Sequence, residues 1–193
     1  MGSDGDSTVG VINYNFSVGN WVVEAGNGFG PPFEVQPQLL DLNSYNATTT
    51  NGHGADALTI LLSVVNLTGP LGDFNFVNDA GGISTAGTTV FTTQGWISTT
   101  NQTFCGAGCG IPITSLLTMT GTAFNGESKG TGSTGAGPYS VTLEITIDSN
   151  GPDQTLFASS LNQNPVPEPG TLSLLGAGLL TLGTGLWKRL PRA

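Results

Sequence analysis

The sequence predicts an all-β protein: an antiparallel β-sandwich of eight or nine strands, followed by a single C-terminal transmembrane helix. Three observations predict it. Apolar residues before position 165 recur with a period of two far more often than 3.6. Clusters of Gly, Asn and Pro punctuate the apolar runs at short intervals. No segment before 165 supports an amphipathic helix of three turns, which removes the crossovers a parallel sheet requires. Two units follow: an extracytoplasmic sandwich over residues 1–163, for which a jelly roll is one arrangement, and a tail over residues 164–193.

The clearest strand is Tyr139 to Asp148. Tyr139, Val141, Leu143, Ile145 and Ile147 alternate there with Ser140, Thr142, Glu144, Thr146 and Asp148, predicting one core face and one wet face. Ile12, Tyr14, Phe16 and Val18 alternate with polar residues in the same way, and Asp56 to Thr68 reads as a longer, more buried strand. Further β-rich runs are Trp21 to Ala25, Phe74 to Val77, Thr88 to Thr93, Trp96 to Thr99, Pro112 to Phe124 and Thr155 to Ala158. Gly126 to Gly137, GESKGTGSTGAG, reads as a flexible hairpin loop; it lacks the strand-to-helix turn and Lys-Ser/Thr of a phosphate cradle.

Composition narrows the function. The chain has 193 residues, enough for one domain and a tail. Only 9% are charged, against about a quarter in ordinary globular domains, while 37% are hydrophobic, so the chain folds rather than stays disordered. Four Lys plus Arg against thirteen Asp plus Glu give a net charge of -9, which repels phosphate backbones and excludes nucleic acid as a partner.

That charge is polarised. All the acidic residues lie at or before Glu168, whereas Lys188, Arg189 and Arg192 fall in the last six positions. Between them, Thr171 to Trp187 is uncharged and Leu-rich. As a helix its 17 residues reach about 26 Å, close to the ~30 Å of a hydrocarbon core, and snorkelling Lys188 and Arg189 make up the difference. Trp187 suits the headgroup level, and the basic end stays cytoplasmic by the positive-inside bias, leaving the acidic body outside. Upstream, Pro165, Pro167 and Pro169 alternate through Asn164 to Gly170, predicting an extended, exposed connector.

Motif, apolar span and basic terminus stand in that order in VPEPGTLSLLGAGLLTLGTGLWKRLPRA, residues 166–193, which resembles the sorting signal of the PEP-CTERM family. The resemblance implies a bacterial exported protein held in the membrane by residues 171–187 through contact with lipid. It further implies recognition of Pro167-Glu168-Pro169 by a membrane-embedded exosortase, in a producer that commonly makes exopolysaccharide. An LPxTG-type or GPI-type signal fits less well. Residues 1–11, MGSDGDSTVGV, hold neither a basic nor an apolar leader region, so the export leader such proteins carry is to be sought upstream of Met1.

Candidate chemistry in the body is sparse. Cys105 and Cys109 flank Gly-Ala-Gly, and two cysteines in an exported chain are expected to pair. Zinc would need more ligands than these and the lone His53 provide. Asp148, Asn150 and Asp153, like Asp4 and Asp6, would offer oxygens to calcium, but an Asx turn explains them as well. Trp21 and Trp96 would form a sugar-stacking platform or else fill the core. A hydrolase would use two of Glu24, Glu34, Asp41 and Glu144, a choice no motif supports. The expectation is therefore a non-enzymatic surface or matrix protein without cofactor or metal, structural or adhesive, associated with exopolysaccharide or biofilm. The alternatives are a carbohydrate-binding module and an extracellular polysaccharide hydrolase.

Overall fold

The structure is a computed structural model that describes residues 10–31, 38–49, 56–68, 72–134 and 137–165. The described residues form eleven strands: β1 (Val11–Val18), β2 (Trp21–Phe29), β3 (Gln38–Thr49), β4 (Asp56–Leu67), β5 (Gly72–Ser84), β6 (Val90–Ser98), β7 (Ile111–Pro112), β8 (Leu117–Thr120), β9 (Ala123–Thr134), β10 (Tyr139–Ser149) and β11 (Asp153–Pro165). None of the described residues forms a helix long and apolar enough to cross a membrane. The span expected at 171–187 lies outside the described residues, as do Pro167, Glu168 and Pro169 and the basic Lys188, Arg189 and Arg192.

Two antiparallel sheets result, one ordered β1-β2-β3-β11-β5-β9 and the other β4-β10-β6-β7, with β8 also paired to β6. After the β1-β2-β3 meander the chain crosses from sheet to sheet at nearly every connection. This places β3-β11-β5-β9 opposite β4-β10-β6-β8, the double Greek-key order of a jelly roll. The inner faces share one core. Phe76, Phe91, Leu143, Ile145, Ile147 and Leu161 are fully buried in it, and Phe91 packs against Phe124 and Phe157 with ring centroids 5.2 and 5.1 Å away. Asn78 Nδ2 on β5 donates to Thr93 Oγ1 on β6 at 3.2 Å, and Ser159 Oγ on β11 donates to Asn78 Oδ1 at 3.3 Å, so a satisfied polar cluster crosses the core between the sheets.

Several local expectations need correction. Thr88 to Thr93 and Trp96 to Thr99 are not two strands but one, β6, whose burial alternates from Val90 through Ile97. Gly95, which reads as punctuation, points inward, where a Cβ would meet Leu161 Cδ1 at 2.9 Å and Ile113 Cγ1 at 3.2 Å. The missing side chain answers a packing demand, not a turn.

Most of the Gly126 to Gly137 stretch is likewise strand, not loop. In β9 the even positions Phe124, Gly126, Ser128, Gly130, Gly132 and Thr134 face inward, while Glu127, Lys129, Thr131 and Ser133 face out. A Cβ on Gly130 would collide with the Ile113 carbonyl, and one on Gly132 would meet Ile113 Cγ2 at 2.6 Å. The bare inward face lets the segment between β7 and β8 lie against β9, where Ser115 N donates to Lys129 O at 3.2 Å and joins the two sheets along this edge. Pro112 to Phe124 is accordingly divided among β7, β8 and the start of β9.

β3 was not among the expected strands, and β2, β5 and β11 run longer than expected. β11 continues two residues into the predicted connector, pairing Asn164 with Asn75 and Pro165 with Phe74. Proline closes the strand, where its missing N–H interrupts no ladder beyond it.

Candidate functional site

The polar face of β10 is not simply wet. Ser140 and Thr142 are buried beneath residues 99–110, a segment tied to the sheet at several points. Asn66 and Asn101, both in the left-handed region at φ 60° and 59°, are paired reciprocally: Asn101 Oδ1 accepts the Asn66 N–H, and Asn101 Nδ2 donates to Asn66 Oδ1, each at 2.7 Å. Ser140 Oγ donates to Gln102 O. Cys105 and Cys109 are joined by a disulfide with their Cα atoms 5.2 Å apart. The Ala107 N–H donates to Glu144 Oε2 at 3.0 Å, and Gly106 lies so close to that carboxylate that a Cβ would overlap it.

Strand register brings a set of side chains together under this segment. Thr92, Gln94 and Trp96 alternate along β6 and stand directly opposite Thr146, Glu144 and Thr142 of β10. Residues from both strands line a hollow of about 230 Å³, completed by Ala107 from the disulfide segment and by the exposed Leu116. Trp96 Nε1 is buried without a hydrogen-bond partner among the described residues. Gln94 Nε2 donates to Thr114 O at 2.9 Å.

Trp21 is elsewhere. It lies on β2 of the other sheet, 3% exposed within the core, so the two tryptophans do not form one platform. The four proposed carboxylates are also dispersed. Glu24, on β2, accepts from Asn46 Nδ2 at 3.0 Å; Asp41 and Glu144 belong to different sheets; Glu34 lies outside the described residues, as do His53, Asp4 and Asp6.

A different acidic row forms on the outer face of the six-stranded sheet. Ser160 on β11 stands opposite both Asp41 on β3 and Asp79 on β5, and Asp79 stands opposite Glu127 on β9. Beside this row Gly81 and Ala158 leave an open groove of about 570 Å³. Burial first, and the facing Glu127 second, hold the Asp79 carboxyl above its usual value, with Lys129 opposing them. Lys129 Nζ lies 2.7 Å from Glu127 Oε1, with both side chains well exposed. No group of three or more metal-ligating side chains occurs among the described residues.

Of the candidate calcium ligands in the Asp148 to Asp153 turn, Asp153 has its oxygens committed within the protein, whereas Asp148 Oδ1 is buried without a hydrogen-bond partner among the described residues. Asp153 is buried and accepts hydrogen bonds from Ser84 Oγ, Thr85 Oγ1, Thr89 Oγ1 and the Ala86 N–H. Burial pushes its carboxyl up, but the hydrogen bonds from Ser84, Thr89, Ala86 and Thr85 outweigh burial and lower it to about 2. Both carboxylate oxygens therefore serve the turn between β5 and β6 rather than an ion.

The chain matches no curated protein. Its tail does match a family model: residues 165–189, starting at the last residue of β11, carry the PEP-CTERM protein-sorting motif, a signal processed by a membrane exosortase and implying export to the cell surface or beyond.

Proposed function

We propose that this is a non-enzymatic surface or matrix protein whose jelly roll is exported, held at the membrane by its tail, and processed near Pro167-Glu168-Pro169. Its role is structural or adhesive, in association with extracellular polysaccharide. The observation that carries this reading is the junction at Pro165. The last strand of the sandwich ends where the sorting motif begins, and residues 166–170 alone separate it from the apolar stretch starting at Thr171. A cut at the motif would release the sandwich with every described strand intact. The low charged fraction and acidic body suit a matrix-facing module that does not bind nucleic acid.

The test is expression in an exosortase-bearing host, with polysaccharides screened for reducing ends in parallel. A shortened product outside the cell that releases no reducing ends supports the reading. Release of reducing ends that depends on the purified protein would replace its non-enzymatic part.

A further inference from the structure

We propose that the hollow between β6 and β10, beneath the disulfide segment, is a subsite for one neutral sugar residue of an extracellular polysaccharide. Resting on the surface-and-matrix reading above, this site gives that reading a place on the protein. Its size limits the occupant: about 230 Å³ falls below the ~300 to 1,000 Å³ of sites for drug-sized ligands and suits a single ring.

The lining selects the chemistry. Trp96 contributes aromatic carbon for the C–H face of a sugar. Its indole N–H is buried, without a hydrogen-bond partner among the described residues, and out of a ligand's reach, so the ring carbon and not the N–H meets the occupant. Glu144 already accepts the Ala107 N–H at Oε2 and keeps acceptor capacity at its other oxygen, while Thr92 and Thr146 supply hydroxyls of either sense. Gln94, with its amide nitrogen already committed to Thr114, offers its oxygen.

An anionic ligand meets Glu144 with no basic partner in the lining. An organic cation would answer Glu144 and the indole ring but would accept nothing from the Thr92 and Thr146 hydroxyls. A neutral pyranose answers all of them, since each hydroxyl both donates and accepts. The segment that completes the hollow is held to the sheet by the Ala107–Glu144 and Ser140–Gln102 hydrogen bonds, and the Cys105–Cys109 bond closes its own short loop, so the site is built before a ligand arrives.

The test titrates the purified full-length chain with neutral gluco-, manno- and galacto-configured oligosaccharides and with a uronate oligosaccharide, following tryptophan emission. At least one neutral oligosaccharide is expected to bind saturably. Trp96→Ala should weaken that binding about 10-fold or more. Leu116→Trp should do the same by filling the hollow; because Leu116 is 59% exposed, this variant keeps its fold and decides the matter if Trp96→Ala does not fold. Glu127→Gln, on the opposite sheet, should bind as the parent does. Binding by none of the neutral sugars, preference for the uronate, or undiminished binding in Leu116→Trp overturns the proposal. A processed, surface-located protein that binds no sugar removes this site and leaves the surface reading standing, whereas an unprocessed chain that binds sugar does the reverse.

Discussion

The Ala86 N–H donates to Asp153 Oδ1 at 3.0 Å, fastening the turn between β5 and β6 to the first residue of the last strand. Together with bonds from Ser84, Thr85 and Thr89, this makes Asp153 a stabilising anion only while ionised. Its carboxyl is lowered from 3.8 to about 2 in the fold, a difference of about 2 kcal/mol. The folded value is the depressed one, so the contribution is complete above the unfolded pKa and disappears as pH falls from about 4 through 2. Denaturant unfolding from pH 7 down to pH 2 should show this acid limb, and Asp153→Asn should lower the midpoint at pH 7 and flatten the limb. An unchanged limb in the variant would refute the role.

Trp21→Ala removes a large side chain from the core and is expected to cost about 3 to 5 kcal/mol, read as a lower denaturant midpoint. A loss below about 1 kcal/mol would mean that Trp21 does not sit in a packed core.

Gly130→Ala and Gly137→Ala separate a strand glycine from a turn glycine. The first places a methyl against the Ile113 carbonyl and should cost about 1 to 3 kcal/mol; the second meets nothing within 4 Å and should be neutral. Equal midpoints for the two variants would return this stretch to the status of a loose loop.

The polar cluster in the core should show coupling. Asn78→Ala and Thr93→Val each leave a buried partner unsatisfied, at about 1 to 3 kcal/mol apiece. The double variant should cost less than their sum, since the Asn78–Thr93 bond can be lost only once, with Ser159 left as the one unsatisfied member of the cluster. Strict additivity would indicate that the two side chains act independently.

What the sequence conveys well is the face of each strand, and what it conveys poorly is which strands meet. β10 is legible because large apolar and polar side chains alternate along it. β9 has the same alternation, but its inward residues are mostly glycines and a serine, so the pattern carries no hydrophobic signal and reads as a linker. β3, at QLLDLNSYNATT, mixes adjacent leucines with turn-forming residues and shows no clean period. The Asp41–Ser160–Asp79–Glu127 row was out of reach because its members come from four strands far apart in the chain, aligned only by register. Trp96 and Glu144 could be nominated singly as residue types, yet only the β6–β10 pairing and the fold of residues 99–110 place them in one hollow. The tail is the opposite case. Its signal is local order along the chain, so residue types alone disclose it.

The most direct test of the whole account is the mass and location of the mature chain in an exosortase-bearing host, for the parent and for a variant with Pro167, Glu168 and Pro169 all changed to Ala. The account predicts that the parent appears outside the cell shortened by about 2.5 to 3 kDa, the mass of the residues beyond the motif, while the variant stays full-length and membrane-bound. A parent chain that reaches the surface with its tail intact, or a variant trimmed and released like the parent, would contradict it.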